Sequence, residues 1–196
     1  MAITTKKLTW KQCPPIEFVR KWELVARGPA AQLYDRHPGT RHLNRSHLNR
    51  LYVLWQDRSR LLARERKDVQ SLSRALPSLN SFRALHHPSE ADVLEIYEVL
   101  TEAVGRRFSL KVFALHAALP RIFPPLSPAR LAAYYVLTEG KPADLPAFSE
   151  ALLPTYFTYQ KFFFDLVNAA AADSSRVDKA LLALGQCLEL YGPVLG

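Results

Sequence analysis

Between Ser46 and Leu76 the chain sorts its residues by helical angle. Leu48, Leu51, Leu54, Trp55, Leu61, Leu62, Val69, Leu72 and Leu76 fall on one side of a helical wheel. Arg45, Asn49, Gln56, Arg60, Arg64, Lys67 and Arg74 fall on the other. The pattern predicts one continuous amphipathic helix, about 45 Å long at 1.5 Å per residue, with an apolar face and a cationic face. Arg58 is the exception, since the wheel sets it among the leucines, where an arginine either extends its head to solvent or pairs with an acid at the core edge.

Helix punctuation is dense elsewhere. Pro14-Pro15 precede an amphipathic stretch through Val25, Gly28 closes it, and Pro29 opens a short helix to Tyr34. Residues 37–45, with Pro38-Gly39, read as a loop, and Pro77 with the Ser/Asn-rich run to Ser81 as a break. Ser89 caps a helix that ends at Gly105, and Ser109 caps another to Leu119. Phe108, Leu110 and Val112 also alternate as a strand would, but no partner strand is evident. Ser127-Pro128 starts a helix that Gly140 stops, 145–153 is a short helix ended by Pro154, and 156–172 follows. A last helix opens at Ser175 and ends at Gly192-Pro193. The expected fold is an all-α, compact multi-helix bundle with one long basic amphipathic helix. It is a single helical domain over 1–196, or two packed halves, 1–80 and 81–196.

Over 156–167 the pattern is apolar nearly all round, with Lys161 and Asp165 on one narrow side. Such a helix belongs in the middle of a bundle or against a second subunit or protein partner; an aromatic cage for a ligand is the sharper, rarer use of the same residues. The near-repeat Arg41-His-Leu-Asn-Arg45, Ser46-His-Leu-Asn-Arg50 is too short for a solenoid.

Charge sharpens this picture. The formal net charge is +8, and residues 1–75 carry 16 Lys and Arg against 6 Asp and Glu, leaving 10 against 12 in the rest. Such asymmetry points to nucleic acid or another anionic surface, or merely to a solvated face. With 48% hydrophobic residues the chain can bury a real core. Two cysteines give no disulfide framework, no secretory leader is apparent, and no apolar run reaches a membrane span. The expectation is a cytoplasmic chain that does not cross a membrane.

Catalytic signatures are absent. His37, His42 and His47 are five residues apart, without the one-turn spacing or the carboxylate of a metal site, so no metal is expected. Seven glycines form neither a phosphate loop nor a dinucleotide fingerprint, and no nucleophile elbow occurs, so no cofactor and no catalytic residue is assigned.

The most specific local signal is Leu115-His116, Pro120, Phe123-Pro124 and Ser127, followed by Arg130 and Tyr134-Tyr135. Physically it is a helix end, a proline stop, a Phe-Pro corner and a newly capped helix. Over about residues 109–135 it also resembles bacterial proteins related to the helix-hairpin-helix DNA glycosylase fold, with His116, Pro120, Phe123 and Pro124 at matching spacings. Where those proteins place the aspartate that assists departure of the base, this chain has Ser127, which supplies no negative charge to a developing oxocarbenium ion. A glycine-flanked hairpin is missing too. The resemblance therefore implies a related scaffold without the reaction.

The leading expectation is a non-catalytic helical protein that contacts the backbone of DNA or RNA through Arg45, Arg60, Arg64, Lys67 and Arg74, with Arg41 and Arg50 at the margin. A helical interaction or assembly subunit, for instance of a bacterial defence or phage-related complex, whose cationic face meets an acidic partner, is the alternative. An enzyme on a degenerate glycosylase-like scaffold is the third.

Overall fold

The computed structural model describes residues 13–37, 42–58, 60–85, 87–140, 145 and 147–195, the last five as backbone only. Among the described residues there are nine α-helices, three short 3-10 turns and no strand, as an all-α fold requires. The chain divides into two compact units, each discontinuous. The first comprises 28–125 with 148–153, the second 1–27, 126–147 and 154–196. None of the four boundaries falls near residue 80.

The first unit is built on α6 (Phe108–Ala118), which is mostly apolar on every side and buried at every position from Leu110 to Leu119, Lys111 and His116 included. Helices α2 (Arg45–Trp55), α3 (Ala63–Leu72), α4 (Leu76–Ala84) and α5 (Glu90–Val104) all pack on or beside it. The strand-like alternation at its start is thus the near end of a central helix, which begins at Phe108 and not behind a Ser109 cap. Ser89 caps α5 as expected, accepting the Asp92 N–H (3.2 Å), and Gly105 closes it at φ 63°.

The single long helix expected over 46–76 is broken in two. Helix α2 ends at Trp55, and Asp57 adopts a left-handed φ of 51°. Its Oδ1 accepts the Ala30 N–H at 2.8 Å, and the same carboxylate lies so close to Gly28 (φ 84°) that a Cβ there would meet it at 2.5 Å. Capturing that amide turns the chain out of the helix. Helix α3 then restarts at Ala63 with Glu65 reaching back to the Leu62 N–H (2.7 Å), half of a capping box with no side-chain acceptor on the leucine. With the phase reset, Leu62 is half exposed (50%) instead of facing the core.

Two prolines read as stops are starts. Pro77 sits in the first turn of α4 and Pro154 in that of α8 (Leu153–Ala170), where the missing N–H has no helical partner to lose. The helix expected over 145–153 is, in its described part, only a 3-10 turn, Glu150–Leu152. Helix α9 (Ser174–Leu195) runs through Gly192-Pro193, where an end was expected.

The second unit holds α1 (Pro15–Trp22), α7 (Pro128–Glu139), α8 and α9, with α9 packed on both α1 and α7. Contact between α7 and α9 is close at Gly185, where a Cβ would come within 1.9 Å of the Ala129 carbonyl oxygen. Helix α8 buries one stripe, Tyr156, Tyr159, Phe163, Leu166 and Ala170, and leaves Phe157, Lys161 and Asp165 exposed. It is therefore amphipathic and not the all-round buried helix its composition suggested. No described helix is long and apolar enough to cross a membrane.

Candidate nucleic-acid interface

Helix α2 is fixed by Asn44, whose side chain accepts the His47 N–H (2.9 Å), and by a stripe of Leu48, Leu51, Tyr52 and Trp55 turned inward. Arg45 and Arg50 stay exposed, about 140° apart around the axis at 3.6 residues per turn. Arg60 is exposed on the connection before α3, and Arg74 on the 3-10 turn Ser73–Ala75 that follows it. Arg41 lies outside the described residues. The expected cationic face of one helix is thus distributed over two helices, a connection and a turn.

Helix α3 carries the densest part, and its charges are sorted. Glu65, nearly buried, receives Arg58 Nη1 at 3.2 Å, and Asp68 is paired with Arg107. Arg58, out of place on the wheel, finds its acid one helix onward. Both acids of α3 are therefore spent on partners within the first unit. Arg66 and Lys67 lie on the half of the helix turned away from both acids, Arg64 lies at its edge one turn before Asp68, and all three are exposed. Among the described residues none of Arg45, Arg50, Arg60, Arg64, Arg66, Lys67 and Arg74 forms an ion pair; elsewhere on the surface some cations are paired, such as Lys161 with Asp165 at 2.7 Å, and others, such as Arg20 and Arg106, are not.

The residues that match the glycosylase-like pattern, His116, Pro120, Phe123 and Pro124, lie in the first unit, and Ser127 and Arg130, which follow them, in the second. His116 on α6 is fully buried and donates from Nδ1 to the Phe123 carbonyl (2.8 Å), which assigns its proton to that nitrogen. Tyr34 and Trp55 flank its ring at 5.0 and 6.1 Å. Arg83 Nη1 donates to the carbonyls of Ala117 and Ala118, both at 3.1 Å, and the Tyr34 hydroxyl donates to that of Pro120 (3.3 Å), so the end of α6 is closed by side chains. Phe123 is buried against Phe82. In the second unit Ser127 is the N-cap of α7, accepting the Arg130 N–H (3.4 Å) and its guanidinium Nη1 (3.2 Å). Arg130 is buried and forms a two-pronged pair with Asp178 of α9, at 2.6 and 2.7 Å.

No family model, no curated protein and no solved structure matches this chain. Among the described residues no group of three or more His, Cys, Asp or Glu is placed to hold a metal ion.

One cluster escaped the sequence reading. Lys111, buried in α6, pairs with Glu150 (2.6 Å), donates to Thr101 Oγ1 (2.7 Å) and lies 4.4 Å over the Tyr97 ring, whose hydroxyl also donates to Glu150. Burial opposes charge on Glu150, but the hydrogen bonds from Lys111 and Tyr97 outweigh it, and its carboxyl lies below the usual range. The signal was a lone lysine in an otherwise apolar helix. Lys111 and its partners bind the segment 148–153 into the first unit, helped by Phe148 against Phe108 (5.5 Å between ring centres).

Proposed function

We propose that the protein binds the phosphate backbone of DNA or RNA, with no chemistry of its own, through the cations of α3 and its neighbours. The carrying observation is the pairing on α3: Glu65 and Asp68 are engaged by Arg58 and Arg107, while Arg64, Arg66 and Lys67 stand exposed and form no ion pair among the described residues. Backbone binding needs charge and reach, both of which long arginines supply, and no recognition helix is required. Arg45, Arg50, Arg60 and Arg74 widen the same unit's cationic surface. The free cysteines Cys13 and Cys187 agree with a reducing, cytoplasmic setting. Glycosylase-like catalysis has less support, because Ser127 is occupied as a cap and as a partner of Arg130.

Fluorescence anisotropy with labelled duplex DNA and an unrelated RNA tests this reading. If about four to five cations engage phosphates, the logarithm of affinity falls with the logarithm of salt at a slope of roughly −4. Arg64→Glu with Lys67→Glu weakens binding to unrelated sequences alike and flattens the slope, while the melting temperature holds because both residues face solvent. A parent protein that binds neither nucleic acid at low salt, or a doubly reversed variant that binds like the parent, assigns the basic surface to a protein partner or to solubility.

A further inference from the structure

The first unit also carries a surface of the opposite sign. Helices α4 and α5 leave between them an open groove of about 370 Å³, a size that takes a small ligand or a few side chains of a partner. From α4 come Ser78, Ser81, Phe82 and Leu85, and from α5 come Asp92, Glu95, Ile96 and Val99, each set confined to one face of its helix. The floor is apolar, with Phe82 and Ile96 buried and Leu85 and Val99 half-buried.

The rim is anionic. Asp92 accepts the Ser89 hydroxyl (2.6 Å) and N–H (2.7 Å), and these bonds hold its carboxyl below the usual range. Among the described residues no lysine or arginine lines the groove; Arg83 of α4 donates instead to the carbonyls that end α6. Beyond the groove Glu98 and Glu102 extend the exposed acidic row of Glu95 along α5, a helix with five acids and no base. An apolar trough edged by carboxylates repels a polyanion, so it is a poor site for nucleic acid. It complements a chain that presents apolar side chains and cations together.

We propose that the α4–α5 groove docks a basic amphipathic helix of a partner protein. Its apolar side chains rest on Phe82, Leu85, Ile96 and Val99, and its lysines or arginines lie along Asp92, Glu95 and Glu98. Docking here does not depend on nucleic-acid binding by α3. The two surfaces are tested by different variants.

The probe is a labelled helical peptide of about 14 residues with leucines at three- and four-residue spacing and lysines elsewhere, beside a counterpart with every lysine replaced by glutamate. By anisotropy at moderate salt, the lysine peptide binds the full chain and the glutamate peptide does not. Glu95→Lys weakens binding at least tenfold, and so does Ser81→Arg, an exposed position at which a long cation occupies the groove without touching the core. Glu139→Lys on α7, an equal change of charge that does not line the groove, alters affinity less than twofold, and Arg64→Glu with Lys67→Glu does not weaken it. Amide exchange slows on peptide binding in 77–85 and 92–99. Failure of the lysine peptide to bind, equal binding of both peptides, equal loss from Glu95→Lys and Glu139→Lys, or protection confined to other segments would each overturn the proposal.

Discussion

Arg130 and Asp178 are hidden from solvent together, and each is satisfied by the other at two points. A buried pair of this kind adds little over apolar residues of the same volume, but breaking it leaves one charge stranded. Asp178→Ala is therefore expected to cost about 3–5 kcal/mol, while Arg130→Met combined with Asp178→Leu stays much closer to the parent. Urea denaturation of the parent and the two variants checks this, and similar losses in the single and double changes would contradict it. At Ser127 the scale is smaller: Ser127→Ala loses a cap and should cost about 1 kcal/mol. Ser127→Asp is tolerated, since aspartate caps as well and its carboxylate falls beside the Arg130 guanidinium. Base-excision activity on damaged duplexes in the unmodified protein would overturn the non-catalytic reading.

Among the elements, the break between α2 and α3 rests on one side chain. Asp57→Ala removes the acceptor of the Ala30 N–H and leaves a Cβ residue at positive φ, so it should cost about 1–3 kcal/mol; Asp57→Asn keeps an acceptor and tolerates that φ, so it should cost less. Equal losses in thermal melts would place the cause of the break elsewhere. The latch on 148–153 gives a pH signature. Because the folded Glu150 carboxyl lies below its ordinary value of 4.5, the stability it contributes is present above that pH and is lost as pH falls through the lower, folded value. Glu150→Gln should be less stable than the parent near neutrality and flatter in its dependence on pH below 4.5, as read from urea midpoints across pH. Caps with a local mechanism were legible in sequence: Ser89, Gly105, Ser127 and Gly140 all stand where their chemistry put them. Features set by residues far along the chain were not. Nothing near Asp57 reveals that Ala30 needs an acceptor, and nothing near Lys111 or Arg130 reveals Glu150 or Asp178. The basic residues of the candidate interface were legible as a composition, but their separation onto two helices, a connection and a turn was not, because the interruption at 56–62 keeps the local hydrophobic spacing on both sides while resetting its phase.

For the molecule as a whole, circular dichroism should be dominated by helix; a strand share above roughly a quarter, that of an average globular protein, would contradict the fold. The chain passes between its two units four times, at 27/28, 125/126, 147/148 and 153/154. A cut at residue 80 divides the first unit, so fragments 1–80 and 81–196 should each give poorly dispersed amide NMR spectra alone. Helix α1 poses a different problem, one of timing. Its buried residues Phe18 and Val19 belong to the unit in which α1 packs on α9, and α9 begins about 150 residues downstream. A ribosome adding about 5–20 residues per second takes on the order of 10–30 s to cover that distance. Through this interval the first unit can close around α6 while α1 waits with its apolar face uncovered, a natural client for a chaperone. On a crowded polysome the nearest finished α9 belongs to the preceding chain, and an α1 that settles there yields an exchanged dimer instead of two monomers.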